Sequence, residues 1–237
     1  WKKTKHFSYK NNKLSRGCEQ CVKGRKLVLF ITGVCGNSCY FCPLSEHKYK
    51  KDVIYANEMP IKDIKDIIQE SQLCSSRGAG ITGGDPLTEL DRTIRVIKLL
   101  KEEYSKNYHI HLYTPLNNVS PDTIRQLEDA GLDEIRFHPD LESDKLWKRV
   151  KINTTMSKGI EIPVIPNKRE ETIKLIDYIK GSVDFLNLNE LEYADVKHNK
   201  LAELGFEPKS DYSYGVKGSE ELALELLKLY PKMNIHY

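Results

Sequence analysis

The sequence predicts an α/β protein built on a parallel sheet, and two observations carry that reading. From Lys26 onward, short runs rich in β-branched and aromatic residues alternate with amphipathic stretches of helical period. The residues with chemistry to offer, a cysteine triplet and a Gly-Gly turn, directly follow the first and second of these runs. Strand–helix repeats demand right-handed crossovers and a parallel sheet, with functional residues gathered in the loops after the strands' C-terminal ends.

The elements follow in order. Leu27 to Thr32 is the first strand. After the cysteine loop, Met59-Pro60 is expected to open a helix running to about Leu73, with Ile61, Ile64, Ile67, Ile68 and Leu73 as its apolar stripe and Pro60 in the first turn. Gly78 to Thr82 is the second strand, and Leu90 to Tyr104 a helix carrying Ile94, Ile97 and Leu100. His109 to Tyr113 is the third strand. Ser120-Pro121 then caps and starts a helix that reaches Ala130 and stops at Gly131. Glu134 to His138 is strand four, with a helix expected over Leu146 to Lys158. Ile160 to Ile165 is strand five, and Asn167 is expected to cap a helix through Ile179. Phe185 to Leu191 is strand six, Glu220 to Leu229 the last helix, and Asn234 to Tyr237 a strand-like end. Six such units fit either an open doubly wound sheet or a partial barrel.

Composition narrows the class. At 237 residues the chain suits one barrel-sized domain or two small ones. No apolar run approaches the roughly 20 residues that span a bilayer, and no secretory signal pattern opens the chain. No membrane partner is therefore expected. A net charge of +3 against 37 basic and 34 acidic side chains does not mark a nucleic-acid binder. Six cysteines, two groups of them at metal-ligand spacing, argue against a disulfide scaffold and for a reducing, cytoplasmic setting. The start at Trp1 and the strand-like end lead us to expect a piece of a longer polypeptide. The expected division is an N-terminal extension over residues 1–25, a core over 26–195 and a C-terminal segment over 196–237.

Cys35, Cys39 and Cys42 lie in one loop leaving the end of a buried strand. A structural zinc site wants four closed ligands. A four-iron cluster held by three thiolates keeps one iron open. Taken alone, the triplet also fits a zinc knuckle or a partly assembled ferredoxin-like site. With Phe41 before the last cysteine, the spacing C-x3-C-x2-C resembles the signature of the radical S-adenosylmethionine (SAM) superfamily. The stretch from Thr32-Gly33 to Cys42-Pro43 is similar to the group related to pyruvate formate-lyase activating enzymes.

That resemblance, over about Lys26 to Leu191, implies a partial (β/α)6 TIM-type barrel. It further implies an enzyme whose [4Fe-4S] cluster, on Cys35, Cys39 and Cys42, reductively cleaves SAM to a 5′-deoxyadenosyl radical that abstracts hydrogen from a substrate. An electron donor such as flavodoxin or ferredoxin is implied as a partner. The substrate stays open: a glycyl-radical enzyme activated on its backbone, or a small molecule, RNA or peptide.

Thr82-Gly83-Gly84-Asp85-Pro86 matches the family's turn for the methionyl amino group, with Asp85 in place of the commoner glutamate. The shorter acid makes direct contact less secure than backbone contact from Gly83 and Gly84. Phe41 is implied to lie against adenine. Thr114, Asn117, Arg136 and His138, after strands three and four, are implied to hold the SAM carboxylate and ribose. Arg136 could instead pair with Glu134, and His138 should share its face. Pro163 to Pro166 resembles the segment bordering adenine. On strand six, either Asn187 and Asn189 or Glu190 faces the interior, and Asn189 is taken as a cofactor contact.

Cys18-Glu19-Gln20-Cys21 is half a metal site. It could join further cysteines to hold zinc or an auxiliary iron–sulfur cluster, act as a redox dithiol, or be two unrelated thiols. Cys74 reads as a small buried residue. From a different class, a non-catalytic zinc or electron-transfer protein would need neither Gly83-Gly84 nor a SAM cavity.

Overall fold

The computed structural model describes residues 1–237. In chain order, the strands β1 (Lys2–Lys3) and β2 (Tyr9–Lys10) precede the short helix α1 (Arg16–Cys21) and strand β3 (Leu27–Phe30). A hairpin of β4 (Tyr55–Ala56) and β5 (Met59–Pro60) leads to α2 (Asp66–Leu73), β6 (Gly78–Thr82), α3 (Leu90–Tyr104) and β7 (His109–Pro115). Then come α4 (Pro121–Ala130), β8 (Glu134–His138), β9 (Ser157–Val164), α5 (Arg169–Ile179), β10 (Phe185–Glu190), α6 (Ser219–Leu229) and β11 (Ile235–His236).

One sheet holds all the strands. Its parallel run is β3-β6-β7-β8-β9-β10-β11; the β4–β5 hairpin lies antiparallel against β3, and β2 lies antiparallel against β11. The two ends of the run do not pair, so the sheet is an open barrel of the expected parallel α/β class. Outward-facing residues such as Ile81, Leu112, Phe137, Ile162 and Leu188 pack with helix residues Val96, Ile97, Leu127, Ile176 and Leu226 in one core of 38 buried side chains. Helix α6 and β11 belong to this same core and sheet.

Three local expectations give way. The stretch after the cysteine loop is first a hairpin, turned at Asn57 with φ 51°, so the helix begins only at Asp66. Pro60 sits on an outermost strand, where a missing amide donor is tolerated, and Leu73 and Cys74 are exposed. Between β8 and β9 only a 3₁₀ turn over Trp147–Lys151 forms; Trp147 and Val150 are buried there, and from Ser157 the chain is already strand. Asn167 lies inside a 3₁₀ turn, so α5 starts at Arg169.

Inward-facing residues make a polar lumen, and α1 fills its floor at the strands' N-terminal ends. Ser15 caps α1 by accepting from the Cys18 amide. Its hydroxyl donates to Glu134 Oε1 (3.2 Å), and the Gly17 amide donates to Glu134 Oε2 (3.1 Å). A buried carboxylate at a helix N-terminus is favourable for the unpaired amides and the helix dipole. Gly17 is required by closeness: a Cβ there would overlap the Arg136 guanidinium and press on Glu134 and His111.

Lys26, His109 and His111 complete the floor. Lys26 Nζ donates to the His109 carbonyl (2.5 Å) and lies 2.8 Å from His109 Nδ1. Burial pulls Lys26 down to about 7, and burial with the neighbouring Lys26 charge pulls His109 from 6.5 to about 3. His111 is likewise held well below its ordinary value, first by burial. The folded chain therefore keeps both imidazoles neutral where the unfolded chain takes up protons. Stability is present above pH 6.5 and is lost as pH falls toward the folded value. In urea titrations we expect stability to drop between about pH 6.5 and 5, above the carboxylate range. His109→Asn should flatten that slope, and an unchanged slope would contradict the assignment.

Candidate active site

The cysteine loop is a closed neck. Gly33 donates its amide to the Lys51 carbonyl (2.8 Å) and accepts from the Lys50 amide (3.0 Å), so residues 33–51 leave and return at one point. A Cβ on Gly33 would overlap the Lys48 carbonyl oxygen. Within the loop Cys35, Cys39 and Cys42 are free and partly buried. The Asn37 amide donates to Cys35 Sγ (3.4 Å) and the Cys42 amide to the Cys39 carbonyl (3.1 Å). Burial raises all three thiols, and Cys39 is pushed up to about 12 by burial and then by its two cysteine neighbours. No three His, Cys, Asp or Glu side chains converge on a point that would hold one metal ion. Three soft thiol donors at close spacing in one loop are a donor set that suits an iron–sulfur cluster.

The Gly-Gly turn is stitched to this loop. Gly84 donates to the Thr32 carbonyl and Asp85 to the Val34 carbonyl, each at 2.8 Å. A Cβ on Gly83 would overlap the Thr32 carbonyl, and one on Gly84 would meet Val34 O and Gly33 O. The glycines are thus needed for contact between the two loops, while the Gly83 and Gly84 carbonyl oxygens take no hydrogen bond from the chain. Asp85 is fully buried and already spent: Oδ1 accepts from Thr114 Oγ1 (2.8 Å) and the Leu87 amide (3.0 Å), and Oδ2 from Asn118 Nδ2 (2.7 Å). Burial raises its carboxyl and these three donors oppose the rise. Asp85 and Thr114 therefore brace the turn rather than face a ligand. Asn118 joins them, a residue the sequence reading passed over for its neighbour Asn117. Exposed Asn117 sits against the cysteine loop beside Gly36.

A cavity of about 380 Å³ opens next to the loop, lined by Cys39, Phe41, His138, Pro163, Ile165 and Lys168 among others. Phe41 and His138 both line it, their ring centroids 6.1 Å apart and their planes tilted by 53°. Burial lowers His138, and its Nδ1 lies 3.0 Å from the Glu161 carbonyl. An aromatic ring, an imidazole and two apolar residues thus stand together on the cavity wall.

Arg136 and Asn189 stand apart from this cavity, in the lumen. Arg136 Nε donates to Glu134 Oε1 (2.6 Å), and its Nη1 to Glu161 Oε2 (2.8 Å) and the Tyr113 hydroxyl (2.9 Å). With a guanidinium so occupied and 2% exposed, Arg136 anchors the lumen instead of waiting for a carboxylate. Asn187 and Asn189 do face inward, both donating to Glu161, while Glu190 turns outward to Lys209. Glu161 and Tyr113 are lumen residues that the sequence reading missed; each falls on the inward face by strand alternation. Buried Cys18 accepts from Asn187 Nδ2 (3.2 Å), while Cys21, three residues on, is exposed.

An open parallel α/β barrel with three thiols and a Gly-Gly turn at one mouth defines a class of iron–sulfur barrels. The chain belongs to the radical SAM superfamily, an enzyme superfamily whose model matches residues 29–187. A relative from Methanocaldococcus jannaschii, provisionally named a glycyl-radical enzyme activating enzyme, is 45% identical over 235 residues. That alignment covers 94% of this chain and 62% of the relative, so the chain spans less than two thirds of its length. Methylornithine synthase shares the fold at a TM-score of 0.56 and 16% identity, over 90% of this chain and 65% of that one. A maturase of the [FeFe]-hydrogenase gives 0.58 and 11%, over 90% and 52%. Coproporphyrinogen III oxidase from Escherichia coli, a radical SAM enzyme, gives 0.51 and 14%, over 93% and 57%. The family implies a [4Fe-4S] cluster and SAM.

Arg136→Met leaves buried Glu134 and half-buried Glu161 without their cation, so it should lower unfolding free energy by about 3–5 kcal/mol in urea titration. A change below about 1 kcal/mol would show that the network does not hold the lumen.

Proposed function

We propose that this chain is the catalytic barrel of a radical SAM enzyme that activates a glycyl-radical partner. Cys35, Cys39 and Cys42 hold the [4Fe-4S] cluster, and the free Gly83 and Gly84 carbonyls receive the amino group of SAM. Phe41, His138, Pro163 and Ile165 enclose its adenine in the cavity beside the loop. Cluster and SAM together supply the reductive cleavage that yields a 5′-deoxyadenosyl radical.

The chain's own residues bind, orient and shield. Asp85, Thr114 and Asn118 fix the turn whose carbonyls accept the amine, and Phe41 and Ile165 keep water from the adenine side. Asn189, Asn117 and the lumen below remain for the substrate side. The observation that carries this reading is the pair of backbone bonds joining the Gly-Gly turn to the cysteine loop, which fixes ligand turn and cluster loop as one body.

Two facts favour a glycyl-radical partner. The name of the 45% identical relative points there, and α1 fills the barrel floor, leaving the mouth and open side for a loop of a large protein. An auxiliary centre at Cys18 and Cys21 is not part of this proposal.

Anaerobic reconstitution tests it. The chain should take up iron and sulfide with broad brown absorbance, and release 5′-deoxyadenosine with SAM and dithionite. Cys35→Ala, Cys39→Ala and Cys42→Ala should each lose both properties. Tightly held zinc with no SAM cleavage would favour a binding module instead.

A further inference from the structure

The C-x2-C pair of α1 is a motif that the site does not use, and the fold gives its two members opposite surroundings. Cys18 is buried, while Cys21, the last residue of α1, is exposed. Both belong to one helical turn, which the Val22 amide closes onto the Cys18 carbonyl (3.0 Å). Residues three apart on an α-helix share a face, with Cα atoms about 5 Å apart. A disulfide spans Cα separations of about 4.4–6.8 Å, so this turn already has the spacing of one.

The Cys18 sulfur is free to turn. It accepts from Asn187 Nδ2 (3.2 Å) and Arg136 Nη2 (3.5 Å). Each of those donors has a second acceptor: Asn187 Nδ2 reaches Glu161 Oε2 (2.8 Å), and Arg136 Nη2 reaches Ser15 Oγ (3.3 Å). Moving the sulfur away therefore orphans neither donor, and the lumen keeps its network. Burial raises both thiols, and the Arg136 guanidinium is the next influence on each, opposing the rise. Cys21 thus lies among the same charges as Cys18, at the lumen floor.

We propose that Cys18 and Cys21 are a thiol–disulfide exchange pair, in which exposed Cys21 meets a low-molecular-weight disulfide and buried Cys18 resolves the product. The Cys21 thiolate attacks one sulfur of the small disulfide and breaks its S–S bond. The thiolate that leaves takes up the proton that Cys21 gave away. Cys18 then loses its proton and attacks the Cys21 sulfur of the mixed disulfide. The intrachain bond forms, and the second small thiolate leaves and is protonated. The pair is oxidised by two electrons while the small disulfide is reduced to two thiols; excess small thiol runs the same steps backward. Access sets the order, since exchange needs a sulfur that the attacking partner can reach. Closure withdraws the Cys18 sulfur from the lumen and clamps the single turn of α1, so the barrel floor has two covalent states. None of these steps involves the cluster loop.

Peptide mapping under redox control tests the pair. The chain is equilibrated without oxygen in glutathione buffers of increasing oxidised fraction and quenched with excess N-ethylmaleimide. Trypsin then releases Gly17 to Lys23, with both cysteines in one peptide, while Cys35, Cys39 and Cys42 fall on another. We expect the first peptide to pass from doubly labelled to unlabelled and two hydrogens lighter, and to return on adding dithiothreitol. In Cys18→Ser, whose hydroxyl keeps an acceptor at Asn187, Cys21 should stop as the glutathione mixed disulfide. In Cys21→Ser, Cys18 should take up glutathione roughly tenfold or more slowly than Cys21 does in Cys18→Ser, and lose that protection in urea. A peptide doubly labelled throughout the series, a Cys18→Ser chain without mixed disulfide, or equal rates in the two variants would overturn the pair. So would a disulfide joining Cys21 to any residue other than Cys18.

Discussion

Two short backbone hydrogen bonds, from Gly84 to Thr32 and from Asp85 to Val34, hold the site together. They tie the loop after β3 to the turn after β6, and β3 and β6 are already parallel neighbours in register from Leu27–Ala79 to Phe30–Thr82. The contact is so close that neither Gly83 nor Gly84 has room for a side chain. Buried Asp85 then carries the constraint to β7 through Thr114 and to the loop after it through Asn118. Three strand ends are thereby locked into one platform. The Gly83 and Gly84 carbonyls at its surface take no hydrogen bond from the chain.

Beneath that platform the barrel solves a different problem. Arg136, Glu134, Glu161, Tyr113 and Asn187 are polar groups taken out of water, and each finds its partner across the lumen. Such networks are costly when half made and rigid when complete. Helix α1 completes this one, contributing the Ser15 hydroxyl, the Gly17 amide and the Cys18 sulfur. The N-terminal segment is thus part of the barrel's interior, and Cys18 serves there as a small buried acceptor.

Much of this was legible in the sequence, for physical reasons that differ by residue. Ser120-Pro121 and Gly131 bounded α4 because cap chemistry is local: Ser120 accepts from the Thr123 amide and Gly131 adopts φ 97°. The triplet and the Gly-Gly turn were legible because both follow strands whose pattern is unmistakable. Pro60 misled, since a proline suits a helix start and an outermost strand alike, and only the pairing of Tyr55 with Pro60 decides between them. Arg136 misled because strand alternation fixes the face but not the depth. It points inward and pairs with Glu134, and it also meets Glu161 from the next strand, a pairing set by register and not by local sequence. Nothing local marks α1 as a plug, because its contacts reach residues more than a hundred positions away.

The central claim is that the three thiols and the Gly-Gly turn form one site, with an iron left open for SAM. Electron paramagnetic resonance of the reconstituted, dithionite-reduced chain, recorded with and without SAM, tests it most directly. The account predicts a reduced four-iron signal whose g-values move when SAM is added, because the sulfonium's amine and carboxylate reach the open iron. Superimposable spectra, or a chain silent because it holds zinc, would contradict it.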